Sequence, residues 1–308
     1  MGAGGAAALA AATSARAARR LFGPGGLPLG INVYMVEANW RSDPEATLRD
    51  LAAIGFREFE TDLSIFTPAR IRAARTAAGL ACASVSVLPK PLRGGPSLET
   101  NPGVLAEAVH AIGADYLVCT LSPPPAGVEM RPQAGESVEQ MLARIASSLT
   151  ADQWKRTADL LNVKGEALRR AGVKLAYHNH NPELAPLGET NGLAILLEHT
   201  DPRAVAFEMD AGWVVAAGHD PVEILRAYPG RVRLMHVKDI AHTQQTNTVF
   251  KADTTEVGSG VIDWGRVLAA AIASGVRHFS VEQEPPYSRM APVDAARKSF
   301  AYLSALEV

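Results

Sequence analysis

The stretch Leu175-Ala-Tyr-His-Asn-His180 decides the fold, because it is a short apolar run that ends on imidazoles. Three later runs repeat this design, namely Val205-Ala-Phe-Glu-Met-Asp210, Val232-Arg-Leu-Met-His236 and Phe279-Ser-Val-Glu282. Short apolar runs of this kind are typical of strands that are buried on both faces. Each strand would present a polar side chain at its C-terminal end, where α/β barrels build their active sites.

Strand-like segments alternate with helix-like segments from residue 27 onward. The predicted strands are rich in Val, Leu, Ile and Phe, and they span 28–34, 57–61, 82–88, 115–121, 174–180, 205–210, 232–238 and 278–283. Helix signals lie between them, such as Asp43 followed by Pro44, with Gly55 as the stop. The alternation predicts an α/β fold, a single-domain (β/α)8 TIM barrel over residues 27–308, with a doubly wound sheet as the alternative.

Residues 1–26 form a different segment, because residues 2–13 are almost all Gly and Ala. Ser14-Ala-Arg-Ala17 contains an Ala-x-Ala pattern of the kind that is cleaved after export. We therefore expect a signal-peptide-like leader and an exported, periplasmic protein. A disordered Ala/Gly leader on a cytoplasmic protein is the alternative. The segment is too short and too weakly apolar to predict a membrane span.

The composition is that of an ordinary soluble globular protein, with 308 residues, 47% hydrophobic and 20% charged. A net charge of −2 gives no basic footprint for nucleic acid. Cys82 and Cys119 both lie in apolar runs, which indicates buried free thiols. The sequence leaves the oligomeric state open, including a homo-oligomer.

Four strand-end residues, His178, Asp210, His236 and Glu282, are the candidate metal ligands. Two imidazoles and two carboxylates form a mixed nitrogen and oxygen set that suits one divalent ion, among Mn, Zn, Co, Fe and Mg. The sequence lacks the Cys-rich shell of a structural zinc site. The four positions together favour an open catalytic site, although each one alone is more typical of an ordinary polar group at a strand end.

Several motifs together resemble the sugar phosphate isomerase/epimerase group of the xylose-isomerase-like TIM barrel superfamily. They are Tyr177-His-Asn-His180, Asp210-Ala-Gly-Trp213, Gly218-His-Asp-Pro-Val222, His236-Val-Lys-Asp239 and Val281-Glu-Gln-Glu284. The resemblance covers roughly residues 27–305, and it is specific for the fold and the metal site but not for the substrate. It implies that Asp210, His236 and Glu282 are ligands, and that His178 stands where relatives often have glutamate.

The histidine at position 178 bears on the reaction that the resemblance implies. Ketose epimerases of this superfamily use two glutamate ligands as the opposed acid and base, and here only Glu282 of such a pair remains. Some relatives with a His-x-His strand end resemble inosose dehydratases or enzymes that act on keto-glycosides. Epimerisation and dehydration therefore both stay open.

Proton transfer next to a sugar carbonyl is the chemistry that we expect from such a site. A divalent ion that chelates a carbonyl and a neighbouring hydroxyl acidifies the adjacent C–H and stabilises the enediolate that forms. The base must lie within hydrogen-bond reach of that proton, and Glu282 is the first candidate and His180 the second. Lys238 shares a strand face with His236, where it could hold an anionic oxygen or deliver a proton.

Four further residues are candidates for contacts with the substrate. Glu60, at the end of the second strand, and Glu183, after the fifth, could bind sugar hydroxyls. Trp213 and Trp264 could pack against a sugar ring, with simple packing in the core as the alternative. The long connections at 122–150 and 241–260 follow C-terminal strand ends, so we expect them to lie over the site.

These residues predict a divalent-metal-dependent isomerase or epimerase that acts on a small sugar or polyol through an enediolate. The alternatives are an inosose-dehydratase-like or keto-glycoside lyase on the same site, and a non-catalytic sugar-binding barrel. A phosphodiester hydrolase of the same superfamily is disfavoured, because it would need more His and acidic ligands and a basic surface. The expected partner is a small carbohydrate, with no nucleic acid and no membrane span.

Overall fold

Eight parallel strands close into a barrel in which each strand pairs with the next along the chain and the last pairs with the first. The computed structural model describes residues 20–307, except residues 24, 92, 93 and 288. The barrel strands are β1 (Leu29–Asn32), β2 (Glu58–Asp62), β3 (Ala81–Val87), β4 (Tyr116–Cys119), β5 (Lys174–His178), β6 (Val205–Asp210), β7 (Val232–Val237) and β8 (His278–Val281). The predicted (β/α)8 TIM barrel is confirmed.

Helices surround the barrel and connect its strands. They are α1 (Glu37–Ser42), α2 (Pro44–Ile54), α3 (Pro68–Ala78), α4 (Pro102–Ile112), α5 (Val138–Ser147), α6 (Ala151–Arg170), α7 (Gly192–His199), α8 (Ala211–Ala216), α9 (Pro221–Ala227), α10 (Trp264–Ser274) and α11 (Pro292–Ala305). The predicted cap of α2 is present, since Asp43 Oδ1 accepts a hydrogen bond from Ala46 N at 2.9 Å. Within the described residues, no helix combines the length and apolar character that a membrane crossing requires.

Side chains along the strands alternate between the barrel interior and the layer under the helices. Phe59, Leu117, Phe207 and Phe279 belong to the large core under the helices. Tyr116, Val118, Ala176 and Leu234 form a separate small apolar cluster, as expected for side chains that point to the barrel axis. This inner cluster fills the barrel below the polar strand ends.

Some strands end earlier than the sequence predicted, most clearly β5, which stops at His178 instead of residue 180. Beyond His178, hydrogen bonds from the side chain of Asn179 replace the backbone hydrogen bonds between β5 and β6. Its Oδ1 accepts a hydrogen bond from Asp210 N at 3.2 Å, and its Nδ2 donates to Asp210 O at 3.5 Å. This exchange fixes the end of β5 against the end of β6, which are the strands that carry two of the predicted ligands.

The segment predicted as a leader is partly within the described residues. Phe22 is buried and packs edge-on against Phe279 of β8, with ring centroids 5.5 Å apart. The backbone N–H of Leu21 donates to Leu306 O at 3.5 Å, so residues before 27 pack on the barrel. The part of the leader that carries the predicted cleavage pattern, residues 1–19, lies outside the described residues, and export stays a prediction.

Gly165 marks a close approach between α6 and the start of β6. A Cβ at this position would lie 2.4 Å from the carbonyl oxygen of Ala204, which is part of the backbone. We expect Gly165→Ala to lower the free energy of unfolding by about 1–3 kcal/mol, because α6 and β6 would have to move apart. Urea unfolding followed by circular dichroism measures this change.

Gly265→Ala in α10 is the matched control for Gly165→Ala. A Cβ there meets only Asp263 Oδ1 at 3.5 Å, which is ordinary contact. Because alanine favours the helix, this variant should be neutral or slightly more stable. Equal destabilisation of the two variants would contradict the close approach of α6 to β6.

Candidate active site

A pocket of about 360 Å³ opens at the C-terminal mouth of the barrel. The strand-end side chains of His178, His236 and Glu282 form part of its lining. Its size lies within the range of roughly 300–1,000 Å³ that is usual for small-molecule sites. The site therefore has the position and the volume that a TIM-barrel enzyme requires.

Three of the four predicted metal ligands come together below this pocket. Each of His178, Asp210 and His236 offers one ligand atom, and these atoms all lie within 4.8 Å of one another. All three side chains are buried. The Nδ1 atom of His236 has no hydrogen-bond partner among the described residues, and it lies 3.5 Å from Asp210 Oδ2. Two imidazoles and a carboxylate fit one divalent ion.

The fourth predicted ligand, Glu282, reaches this group through the buried ammonium of Lys238. Lys238 Nζ lies 2.6 Å from Glu282 Oε2, 2.9 Å from Asp210 Oδ2 and 3.1 Å from Glu284 Oε1. It also lies 4.6 Å from the ring centroid of Trp213. Buried carboxylates require a compensating charge, which Lys238 supplies. The ammonium therefore stands between Asp210 and Glu282.

Glu208 is a site residue that the sequence analysis missed. Its Oε2 lies 3.1 Å from His178 Nδ1 and 3.5 Å from His236 Nε2. The same side of His236 faces Glu60, with Oε1 of Glu60 at 3.0 Å from Nε2. Glu208 precedes Asp210 by two residues, so it shares the inward strand face, and this spacing could have identified it.

Glu60 and Glu208 orient both imidazole ligands from below. His178 turns Nδ1 and His236 turns Nε2 towards this carboxylate pair, so each ring keeps its other nitrogen for a cation. Glu60 had been predicted as a contact for the substrate, and the structure places it against His236 at the floor of the pocket. Glu60, Glu208 and His236 form a second, deeper group of potential metal ligands. Glu208 is not part of the pocket lining, whereas Glu60 and His236 are, so a substrate would reach only part of the deeper group.

Burial sets the protonation of these groups. It lowers the pKa of His178 well below the usual value, so the ring is neutral and able to bind a cation. It raises the pKa of Glu208 well above the usual value, and the charge of Glu60 adds to this effect. For Asp210, burial acts in the same direction, but Lys238 and His236 outweigh it and hold the pKa of this carboxyl low. Asp210 is therefore the ionised carboxylate of the group.

His180, the second candidate base, lies in the pocket wall. Its ring centroid is 4.7 Å from that of His178, 5.6 Å from Trp213 and 5.2 Å from Phe250. Burial and the nearby charge of Lys238 lower the pKa of His180 to about 3. The imidazole is consequently neutral and a weak base.

Of the remaining predicted contacts for the substrate, Trp213 lines the pocket, whereas Trp264 and Glu183 do not. Trp264 starts α10 and is fully buried in the core under the helices. Glu183 lies in a buried 3-10 turn, where it accepts a hydrogen bond from the hydroxyl of Tyr177 at 2.7 Å. The turn directs Glu183 into a small apolar cavity beside Trp154 instead of the main pocket.

Both long connections reach the pocket. Val138, Glu139 and Leu142 of α5 line it from the 122–150 connection, and Phe250 lines it from the 241–260 connection. The second connection is held by Asn181, whose Nδ2 donates to Asn247 O at 2.9 Å and whose Oδ1 accepts from Phe250 N at 3.0 Å. Substitutions in these connections would therefore change the pocket without changing the barrel.

Asp210→Asn tests the metal group directly. The amide keeps an oxygen that can cap α8 through Trp213 N, as Asp210 Oδ1 does at 2.9 Å, but it removes the negative charge. We expect bound divalent metal to fall at least about tenfold, because a carboxylate ligand is lost. Mass spectrometric metal analysis of desalted protein measures this. Asp159→Asn, an exposed acid in α6, is the control, and full occupancy in Asp210→Asn would refute the assignment.

Glu208→Gln tests the role of the carboxylate pair below the imidazoles. Replacing the carboxyl group that orients a metal-bound histidine typically weakens metal binding about 10- to 100-fold. We expect a loss of this size in a calorimetric titration with zinc, compared with the exposed control Glu107→Gln. His178→Ala distinguishes the two groups of potential ligands. It should weaken binding only if the ion occupies the group of His178, Asp210 and His236. Unchanged affinity in Glu208→Gln would exclude the orienting role.

Comparison with known proteins agrees with this architecture. The model of the family described as xylose isomerase-like TIM barrel matches residues 48–306. An inosose dehydratase from Lacticaseibacillus casei is 28% identical over 212 residues. That match covers 64% of this chain and 66% of the relative, just under two thirds of its length.

Two solved structures share the fold. A sugar phosphate isomerase/epimerase from Parabacteroides distasonis superposes with a TM-score of 0.71 at 20% identity, covering 91% of this chain and 99% of that one. The protein IolI, solved with a bound zinc atom, superposes with a TM-score of 0.59 at 15% identity, covering 91% of this chain and 98% of that one. At these identities the likeness concerns the fold. The family model, in contrast, matches most of the barrel. The chain therefore belongs to the xylose isomerase-like TIM barrel family.

Proposed function

We propose that this protein is a divalent-metal-dependent isomerase or epimerase that acts on a small sugar or polyol. One observation carries the proposal: His178, Asp210 and His236 form one buried group, and both of its histidines line a pocket that Glu282 also lines. Membership of the xylose isomerase-like family supports an enzyme of this kind. The similarity to an inosose dehydratase supports a cyclic or open-chain polyol with a carbonyl group as the substrate class.

His178, Asp210 and His236 would hold the ion, with Glu282 as the fourth proposed ligand. A divalent ion, when bound, would polarise the substrate carbonyl and make the neighbouring C–H acidic. The donor set suits Mn, Zn, Co, Fe or Mg, and the zinc found in IolI favours zinc for a first trial. The negative charge of the buried carboxylates would attract any of these cations.

Glu282 is the proposed base that takes the proton from carbon. Burial raises the pKa of Glu282 to about 7, and the neighbouring Lys238 opposes this rise. A carboxyl group with such a pKa can both accept and return a proton near neutral pH. His180, with its pKa lowered to about 3, is a much weaker base. Lys238, whose Nζ lies 2.6 Å from Glu282 Oε2, would stabilise the ionised form of Glu282.

The charges of the pocket favour an uncharged substrate. Five acidic side chains line it, and the described lining contains neither Arg nor Lys; the acidic residues are Glu60, Asp62, Glu139, Glu282 and Glu284. A phosphate group would be repelled by these carboxylates, whereas hydroxyl groups could donate hydrogen bonds to them. Trp213 and Phe250 offer apolar faces to a sugar ring. An unphosphorylated sugar is also the substrate that an exported enzyme would meet, and export stays part of the proposal.

A dehydratase is the second candidate. The observation that favours it is His178 at the position where relatives often have a second glutamate, because one of the two opposed carboxylate bases is then missing. Proton abstraction by Glu282 would begin the reaction in the same way. The substrate would then lose a hydroxyl group instead of regaining a proton at carbon, and the protonated Glu282 could supply the proton that leaves with it as water.

Hydrogen exchange with solvent tests both candidates. Metal-loaded protein is incubated in deuterated water with a panel of keto sugars and keto polyols, and the products are analysed by mass spectrometry. We expect deuterium next to the carbonyl, with the rate reduced about 10²- to 10⁴-fold in Glu282→Gln, because the base is lost. Glu107→Gln, an exposed position on α4, is the control.

The products of the exchange experiment separate the two candidates. A deuterated isomer or epimer supports the leading proposal, whereas a product that is lighter by one water molecule supports the dehydratase. Absence of exchange with every substrate, in protein shown to contain metal, would contradict both.

A further inference from the structure

A second cavity, of about 430 Å³, lies at the N-terminal mouth of the barrel, opposite the active-site pocket. It is formed where β5, β6, β7 and β8 begin. Six basic side chains line it, namely Arg169, Lys174, Arg203, Arg233, Arg277 and His278. No Asp or Glu occurs in the described lining. The linings of the two cavities therefore carry side chains of opposite charge, and the net charge of −2 conceals this difference.

Arg233 and Arg277 carry charges that no carboxylate of the described residues neutralises. Arg233 Nη1 donates to Gly275 O at 3.2 Å, and Arg277 Nη1 donates to Val276 O at 2.8 Å. These backbone contacts hold one nitrogen of each guanidinium group. The other guanidinium donors remain for a ligand.

The three other long cations are partly compensated by acids outside the cavity lining. The ion pairs are Arg169 with Glu166 at 2.8 Å, Arg203 with Asp201 at 2.8 Å and Lys174 with Asp115 at 3.4 Å. His278 Nδ1 also lies 3.0 Å from Glu58 Oε2. Exposed pairs of this kind are weak, so their cations still attract an anion in the cavity. The uncompensated arginines supply most of the attraction.

Tyr116 contributes a neutral donor to the cavity. The residue is 7% exposed, and its hydroxyl has no hydrogen-bond partner in the described part of the chain. Its ring lies 4.9 Å from Lys174 Nζ and 5.7 Å from the ring of His278. Burial raises the pKa of Tyr116, so the hydroxyl keeps its proton and can donate to an anion.

The cavity is separated from the active-site pocket by the inner apolar cluster. Val118, Ala176 and Leu234 fill the barrel axis between the two mouths. His278 lies at the basic mouth and Glu282 at the acidic mouth. They are four residues apart along extended chain, which corresponds to about 13 Å. A ligand in the basic cavity would not contact the metal group.

We propose that this basic cavity binds a small phosphorylated molecule, with its phosphoryl oxygens held by Arg233, Arg277 and the hydroxyl of Tyr116. Guanidinium groups match phosphate oxygens in both charge and geometry. A volume of about 430 Å³ has room for a second phosphoryl group or an organic portion in addition to one phosphate. The site is independent of the proposed reaction at the other mouth.

Pyrophosphate is the probe for this site, titrated by calorimetry at constant ionic strength into full-length protein freed of metal by a chelator that is then removed. We expect saturable binding to the natural protein. Arg233→Gln with Arg277→Gln should weaken it at least about tenfold, and Tyr116→Phe about threefold. The control pair, Arg72→Gln with Arg297→Gln, makes the same charge change at exposed positions that form no ion pair among the described residues. It should bind within about twofold of the natural protein.

Three results would overturn the proposal. The first is absence of saturable pyrophosphate binding to the natural protein. The second is an equal loss in both double variants, which would mean unspecific attraction to positive charge. The third is loss of binding in Asp210→Asn, which would place the anion on residual metal in the active-site pocket. Circular dichroism of each variant verifies the fold, and Tyr116→Phe, which keeps the charge, provides an independent test.

Discussion

Compensation of buried negative charge is the constraint on which this molecule depends. Closing the barrel brings the ends of β2, β6 and β8 together, and these ends carry buried carboxylates. The buried acids include Glu60, Glu208, Asp210 and Glu282. So many carboxylates cannot all be ionised in a medium of low dielectric without cations. Lys238 supplies one charge, protonation relieves Glu208, and a divalent ion between two imidazoles and Asp210 would supply the rest.

The same constraint organises the chemistry proposed for the pocket. Lys238 is shared between Asp210 and Glu282, so the residue that holds the cation and the residue that moves the proton are joined through one ammonium. Glu60 and Glu208 hold the imidazoles from below, where the substrate has no direct access to Glu208. The reacting groups are therefore fixed by rigid strands, whereas α5 and the connection around Phe250 shape the space above them. Differences in substrate among proteins of this fold would then arise in those connections.

Much of the fold could be predicted from the sequence, because each strand is an apolar run that ends on a polar residue and each helix has its own start and stop signals. The rule that active-site residues lie at the C-terminal ends of the strands also predicted that His178, Asp210 and His236 form one group. It could not show that Lys238 would stand between Asp210 and Glu282, since this depends on the separation of β6, β7 and β8. Trp264 and Glu183 do not line the pocket, and the sequence could not show this, because strand alternation does not determine the direction of a helix start or a tight turn. The basic cavity could not be predicted either, because its arginines lie near the starts of different strands and come together only in the closed barrel.

X-ray absorption spectroscopy of the zinc-loaded protein tests the central claim most directly. The account predicts a first shell of nitrogen and oxygen atoms with the multiple scattering of two imidazole rings, from His178 and His236. The His178→Ala protein should show the scattering of one ring. A shell with a single imidazole in the natural protein, or one that is unaffected by His178→Ala, would contradict a cation held at the C-terminal mouth by this group.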